Sequence, residues 1–168
     1  MARSIEQLIE FCALNGLGGQ MACKGCTSTE IELLEHRHKV MLPKSYREFL
    51  SRMGHDACRL FAHDHTVVSY NEAITLPDEL PERIAEERRF RDDDFNFTVQ
   101  LPDDAILIGS RLGDWHWFVR CNETEDCAVW AFGITGQNEI RKEDDSFIEW
   151  LFGWATEAKL VLKPRDAE

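Results

Sequence analysis

Cysteine and histidine are the residues in this chain whose spacing suggests chemistry. Cys23-Lys24-Gly25-Cys26 forms a C-x-x-C, a pattern that serves as half of a tetrahedral zinc site or as a thiol redox pair. Zinc needs a second pair. Cys121 and Cys127 lack the short spacing of a zinc knuckle, so Cys58 or His63 would have to complete a mixed site. A thioredoxin-like pair follows a strand and opens a helix, whereas this one follows a glycine-rich stretch. Cys26 stands one residue before a helix cap at Thr27, where the helix dipole lowers a thiol pKa. Cys23 and Cys26 are read as incidental thiols, and a zinc- or thiol-dependent protein using both is kept as an alternative.

The histidines give less. His36 and His38 lie two residues apart, so on a helix they do not share a face. His63-Asp64-His65 reads as a polar turn, and His116 alternates with Trp115 and Trp117 on a strand, pointing away from both. No G-x-S-x-G, Walker-type loop, H-E-x-x-H or G-x-G-x-x-G occurs. The expectation is a non-enzymatic protein with no catalytic, cofactor-binding or metal-ligating residues.

Carboxylates carry the positive signal. Between Asp78 and Asp104 ten acids face four arginines. Glu123, Glu125 and Asp126 sit at a hairpin tip, and Glu143-Asp144-Asp145 precedes the last helix. Such a field steers a basic protein onto the surface and raises its on-rate above the ~10⁵–10⁶ M⁻¹s⁻¹ of neutral docking. The residues expected to contact a partner are Asp92, Asp93, Asp94, Asp114, Trp115, Trp117, Glu123, Glu125 and Asp126. Trp115 and Trp117 share a strand face beside Asp114, a placement that suits either interface anchors or core packing.

Composition sets the frame. The chain has 168 residues, with 31 acidic and 19 basic side chains and a formal charge of −12. That balance argues against direct binding of nucleic acid, which needs clustered Lys and Arg, and against docking on an anionic membrane. A hydrophobic fraction of 43%, with ten Phe and five Trp, is too rich for a disordered chain. One globular domain is expected. Glu6 and Glu10 interrupt the apolar run near the N-terminus, which does not read as an export signal. The expected location is therefore cytoplasmic, with all six cysteines reduced.

The elements that position these residues follow from caps and periodicity. Ser4 with Gln7 caps a helix ending near Ala13, and residues 16–25 form a connector. Thr27 with Glu30 caps a second helix bearing Ile31, Leu34 and His38 on one face. Leu42-Pro43 opens a third, with Tyr46, Phe49, Leu50 and Met53 at helical spacing and Gly54 as the stop. Short strands are predicted at Arg59–Phe61 and Thr66–Ser69. A short helix through Ile74 and a separate one from Pro77 to about Phe90 follow. Ala105–Ile108, Trp115–Arg120 and Ala128–Phe132 read as antiparallel strands. Ser146 with Glu149 caps a last helix striped by Phe147, Trp150, Leu151 and Trp154. Helices first, strands in the middle and a final helix indicate α+β.

The order of these landmarks resembles the SUKH superfamily, which takes in fungal cell-wall-assembly regulators of the Smi/Knr type and many bacterial proteins. Thr27-Ser28-Thr29-Glu30-Ile31, Glu35 and Leu42-Pro43-Lys44-Ser45-Tyr46-Arg47-Glu48-Phe49-Leu50 are similar to that family's opening, and Gly54 to its following glycine. Ser69–Ile74, Ile106–Gly109 with Gly113-Asp114, and Ser146–Leu151 resemble its later elements. The resemblance covers roughly residues 26–155. It implies a single α+β domain over 26–158, a twisted, mainly antiparallel sheet flanked by helices. An N-terminal helix and connector (1–25) would precede it and a tail (159–168) follow. For bacterial members it implies an immunity protein that occludes a cognate toxin, often a basic nuclease. The alternative is a regulatory adaptor in signalling or cell-wall control. No catalytic residues are implied.

Overall fold

A computed structural model describes residues 3–19, 21–90, 97–122, 125–135 and 139–162. Three helices come first: α1 (Ile5–Leu14), α2 (Ser28–His38) and α3 (Lys44–Met53). Both predicted capping boxes form, Ser4 with Gln7 and Thr27 with Glu30. Pro43 is the cap of α3 rather than its first helical residue, and Gly54 ends it. Then come β1 (Thr66–Val68), α4 (Tyr70–Phe90), β2 (Ala105–Arg111), β3 (Trp115–Arg120), β4 (Val129–Gly133), β5 (Arg141–Asp144) and α5 (Phe147–Val161).

The five strands form one antiparallel sheet in the order β1-β2-β3-β4-β5. β3 lies at its centre, and all four of its inner residues, His116 to Val119, are buried. Helices cover both faces, which explains why the strand reads as continuously apolar rather than alternating. One face carries Trp117, Val119, Val129 and Ala131 and packs on α1, α3 and α5, with Ile5, Leu8, Phe49, Phe147 and Leu151 in the same core. The opposite face carries Leu107, Phe118, Phe132 and Ile134, covered by Leu76 and Leu80 of α4 and by Phe97, Val99 and Leu101. Aromatic edges lock the larger core: Phe147 meets Tyr46 at 5.4 Å and Phe49 at 5.5 Å, both edge-on. Because α1 buries Ile5, Leu8, Ile9 and Cys12 in that core, its helix is part of the same packed unit.

Three elements differ from the periodicity reading. The stretch predicted as a strand at Arg59–Phe61 is a succession of turns, with Leu60 N–H bonded to Ala57 O and Ala62 N–H to Arg59 O. Leu60 and Phe61 are both buried within these turns. The two helices expected between Ser69 and Phe90 are one, with Pro77 and Pro81 inside. Tyr70, Ala73, Leu76 and Leu80 form its buried stripe, and that burial outweighs the proline penalty of about 3 kcal/mol. Pro77 has no N–H to donate to the Ala73 carbonyl one turn back. Finally, β5 has no apolar alternation. It is an edge strand paired with β4, and its exposed Arg141 and Lys142 are the charges that discourage further edge pairing.

Candidate partner-binding surface

The β2–β3 turn places Asp114 and Trp115. Leu112 and Gly113 take left-handed backbone angles, φ 52° and 78°, which turn the chain tightly enough for Asp114 N–H to reach Arg111 O and for Asp114 O to accept from Ile134 N–H. The Asp114 side chain is exposed. Trp115 is half-buried. Its ring lies against Gly133 and under the Arg141 guanidinium at 4.4 Å, a cation–π contact that covers part of its surface. Trp117 behaves differently. It is 4% exposed and wedged between Trp150 and Trp154, at 5.9 and 5.8 Å. Of the two tryptophans on that strand face, Trp117 belongs to the core and only Trp115 reaches the surface, because α5 covers the middle of β3 and not its first residue.

Glu125 and Asp126 sit beyond the other end of β3. Glu125 is exposed and pairs with Lys44 at 3.2 Å, while its carbonyl accepts from Ser45 N–H at the start of α3. Asp126 accepts from the Ser146 hydroxyl and from Cys127 N–H, and Ser146 in turn caps α5 through Glu149 N–H. Asp126 thus organises the entry to α5, and Glu125 is the residue of the two that faces outward. Six residues of β3 separate this end from Asp114 by roughly 17 Å at the rise of a strand, so the predicted contacts do not form one patch. Asp92, Asp93, Asp94 and Glu123 lie outside the described residues.

Neighbouring acids divide in the same way. Asp78 pairs with Arg37 at 2.7 Å, Glu79 with Arg83 at 3.0 Å and Asp104 with Arg120 at 3.0 Å. Glu82, Glu86, Asp103 and Asp114 are exposed and make no ion pair among the described residues. These four add to the outward negative charge of the surface.

The thiols depart from expectation. Cys23 is bonded to Cys58, with Cα atoms 5.2 Å apart, so the six cysteines are not all reduced and the C-x-x-C is not a pair. The cause is long-range. Lys24 and Asp56 form an isolated antiparallel bridge, which lays residues 23–26 beside residues 54–58. Cys26 remains reduced and buried. Burial first, and the Glu30 carboxylate second, push its thiol up to about 12, opposite to the lowering expected from the dipole of α2. Burial likewise raises Cys12 to about 11, and burial together with Asp104 and Glu35 raises Cys121 to about 12. None of these three is a reactive thiolate at neutral pH.

Cys26, Glu30 and His55 meet, with one ligand atom from each lying within 4.8 Å of the others. His55 Nε2 is 2.9 Å from Glu30 Oε1. Sequence spacing flagged Cys26 and the Glu30 cap but gave no sign of His55, which is 25 residues from Glu30. His116 is fully buried on the α4 side, stacked on Phe132 at 5.3 Å, and neither ring nitrogen has a hydrogen-bond partner among the described residues.

Against this geometry, the family model described as SMI1 / KNR4 family (SUKH-1) matches residues 25–153. The chain belongs to the SMI1 / KNR4 (SUKH-1) family. No curated protein matches the chain. The SUKH-1 match runs from just before the cap of α2 into α5, taking in the whole sheet, and α1 packs onto that unit from outside the matched range. Among the described residues no helix is long and apolar enough to cross a membrane.

Proposed function

We propose that this SUKH-1 protein is a non-catalytic, cytoplasmic binding module that neutralises a cognate toxin by covering its working surface. The family to which the chain belongs supports a protein-binding role of the immunity or Smi/Knr type. The observation that carries the finer reading is the charge: −12 overall, with Glu82, Glu86, Asp103 and Asp114 facing outward and unpaired among the described residues. A toxin that acts on nucleic acid is basic where it holds phosphates, and an acidic inhibitor complements that surface and reaches it faster. Asp92, Asp93 and Asp94 would extend the same field. Trp115, flanked by Asp114, is the aromatic anchor of this reading, and Glu125 a rim contact.

The test is co-expression with the toxic domain encoded by the neighbouring gene. Survival of the host and a 1:1 complex on size exclusion are expected. Continued killing by an active toxin, with no complex formed, would remove that pairing and favour a regulatory adaptor of the same family. Within the complex, exchanging Asp92, Asp93 and Asp94 for Asn should slow association and flatten its salt dependence. An unchanged rate and salt slope would clear that segment.

A further inference from the structure

We propose that Cys26 Sγ, Glu30 Oε1 and His55 Nε2 form a binding site for one zinc ion, with water completing the tetrahedron. Thiolate, imidazole and carboxylate together are a donor set for zinc and not for magnesium or calcium, which take oxygen ligands. The geometry suits a small ion. The three ligand atoms lie within 4.8 Å of one another, and tetrahedral zinc holds such atoms roughly 3.3–3.6 Å apart. His55 and Glu30, at 2.9 Å, need to part by only about half an ångström to admit it.

Each ligand is held from behind. The capping box turns Glu30 back toward Thr27, whose N–H and hydroxyl donate to Oε2 at 2.8 and 2.9 Å, so Oε1 is left aimed at His55. Backbone bonds from His55 N–H and Asp56 N–H to Lys24 O, together with the Cys23–Cys58 disulfide, fasten the His55 loop beside the Cys26 loop. Gly54 makes the room for sulfur: a Cβ there would lie 2.5 Å from Cys26 Sγ. Tyr70 walls one side, its ring 5.5 Å from the His55 ring. Such supporting contacts are what fixes ligand orientation in metal sites. Cys26 is buried, while the Glu30 and His55 side chains are 34% and 23% exposed, so the water position opens on their side.

On binding, Cys26 gives up its thiol proton to solvent and His55 ligates through Nε2 with its remaining proton on Nδ1. The ion then ties the loop of residues 23–26 and the loop of residues 54–58 to the first turn of α2. It uses one member of the C-x-x-C, with the other already in the disulfide.

The experiment is zinc and cobalt(II) titration of the chelator-stripped, refolded-checked full chain. One equivalent of zinc by elemental analysis is expected, and cobalt should give a thiolate charge-transfer band. Cys26→Ser and His55→Gln should each weaken zinc by more than about 100-fold, beyond the loss of a mere supporting group. The Cys23→Ser, Cys58→Ser double variant should still bind one equivalent. Zinc should also raise the thermal midpoint of the native chain and leave that of His55→Gln, which loses a partly exposed side chain, unmoved. Absence of stoichiometric zinc in the native chain would overturn the assignment, as would full retention of zinc by folded His55→Gln.

Discussion

His116 makes folding sensitive to mild acid. Its imidazole is fully buried between the sheet and α4, against Phe132, with both nitrogens unpartnered among the described residues. Burial, reinforced by the nearby Arg83 guanidinium, pushes its pKa from 6.5 down to about 4. The unfolded chain therefore takes up a proton that the folded chain refuses. Stability from the neutral ring is fully present above pH 6.5 and is lost as the pH falls toward 4. A shift of this size corresponds to about 3.4 kcal/mol in full, of which about 1.5–2 kcal/mol disappears between pH 7 and pH 5. Other groups titrate in the same range. Burial lowers the His38 pKa in the same sense, while it raises the Glu72 carboxyl, whose protonation favours the folded state. Replacing His116 with Leu isolates the term. Urea unfolding of both proteins at pH 7 and pH 5 should show the native chain losing about 1.5–2 kcal/mol more than His116→Leu. Equal losses within about 0.5 kcal/mol would refute the argument and imply that the ring is hydrated or paired in solution.

Three further outcomes are expected. Phe49→Ala removes a fully buried ring packed on Tyr46 and Phe147 and should cost about 3–5 kcal/mol in denaturant titration; a loss below about 1 kcal/mol would contradict the packing. Asp126→Ala should lower stability by about 1–2 kcal/mol through loss of its bonds to Ser146 and Cys127. Glu125→Gln, at a side chain 77% exposed, should change stability little, and equal effects of the two would deny Asp126 its role at α5.

Local chemistry wrote much of this fold into the sequence. Ser4 with Gln7 and Thr27 with Glu30 announce their helices because a cap and its partner are three residues apart. The stripe of Tyr46, Phe49, Leu50 and Met53 names the buried face of α3 because helical periodicity needs no distant partner. The net charge is likewise a property of composition alone. What only the tertiary structure decided is everything that depends on residues far apart in the chain. Pro77 and Pro81 stay inside α4 because the sheet buries one face of that helix. β5 exists because β4 offers it an edge. Trp117 and Trp115 share a strand face, and α5 rather than any feature of their own decides that the first is core and the second surface. Cys23 joins Cys58 and Cys26 meets His55 because the Lys24–Asp56 bridge brings two loops together, and closure of loops that long is governed by the packing of the whole chain rather than by its spacing.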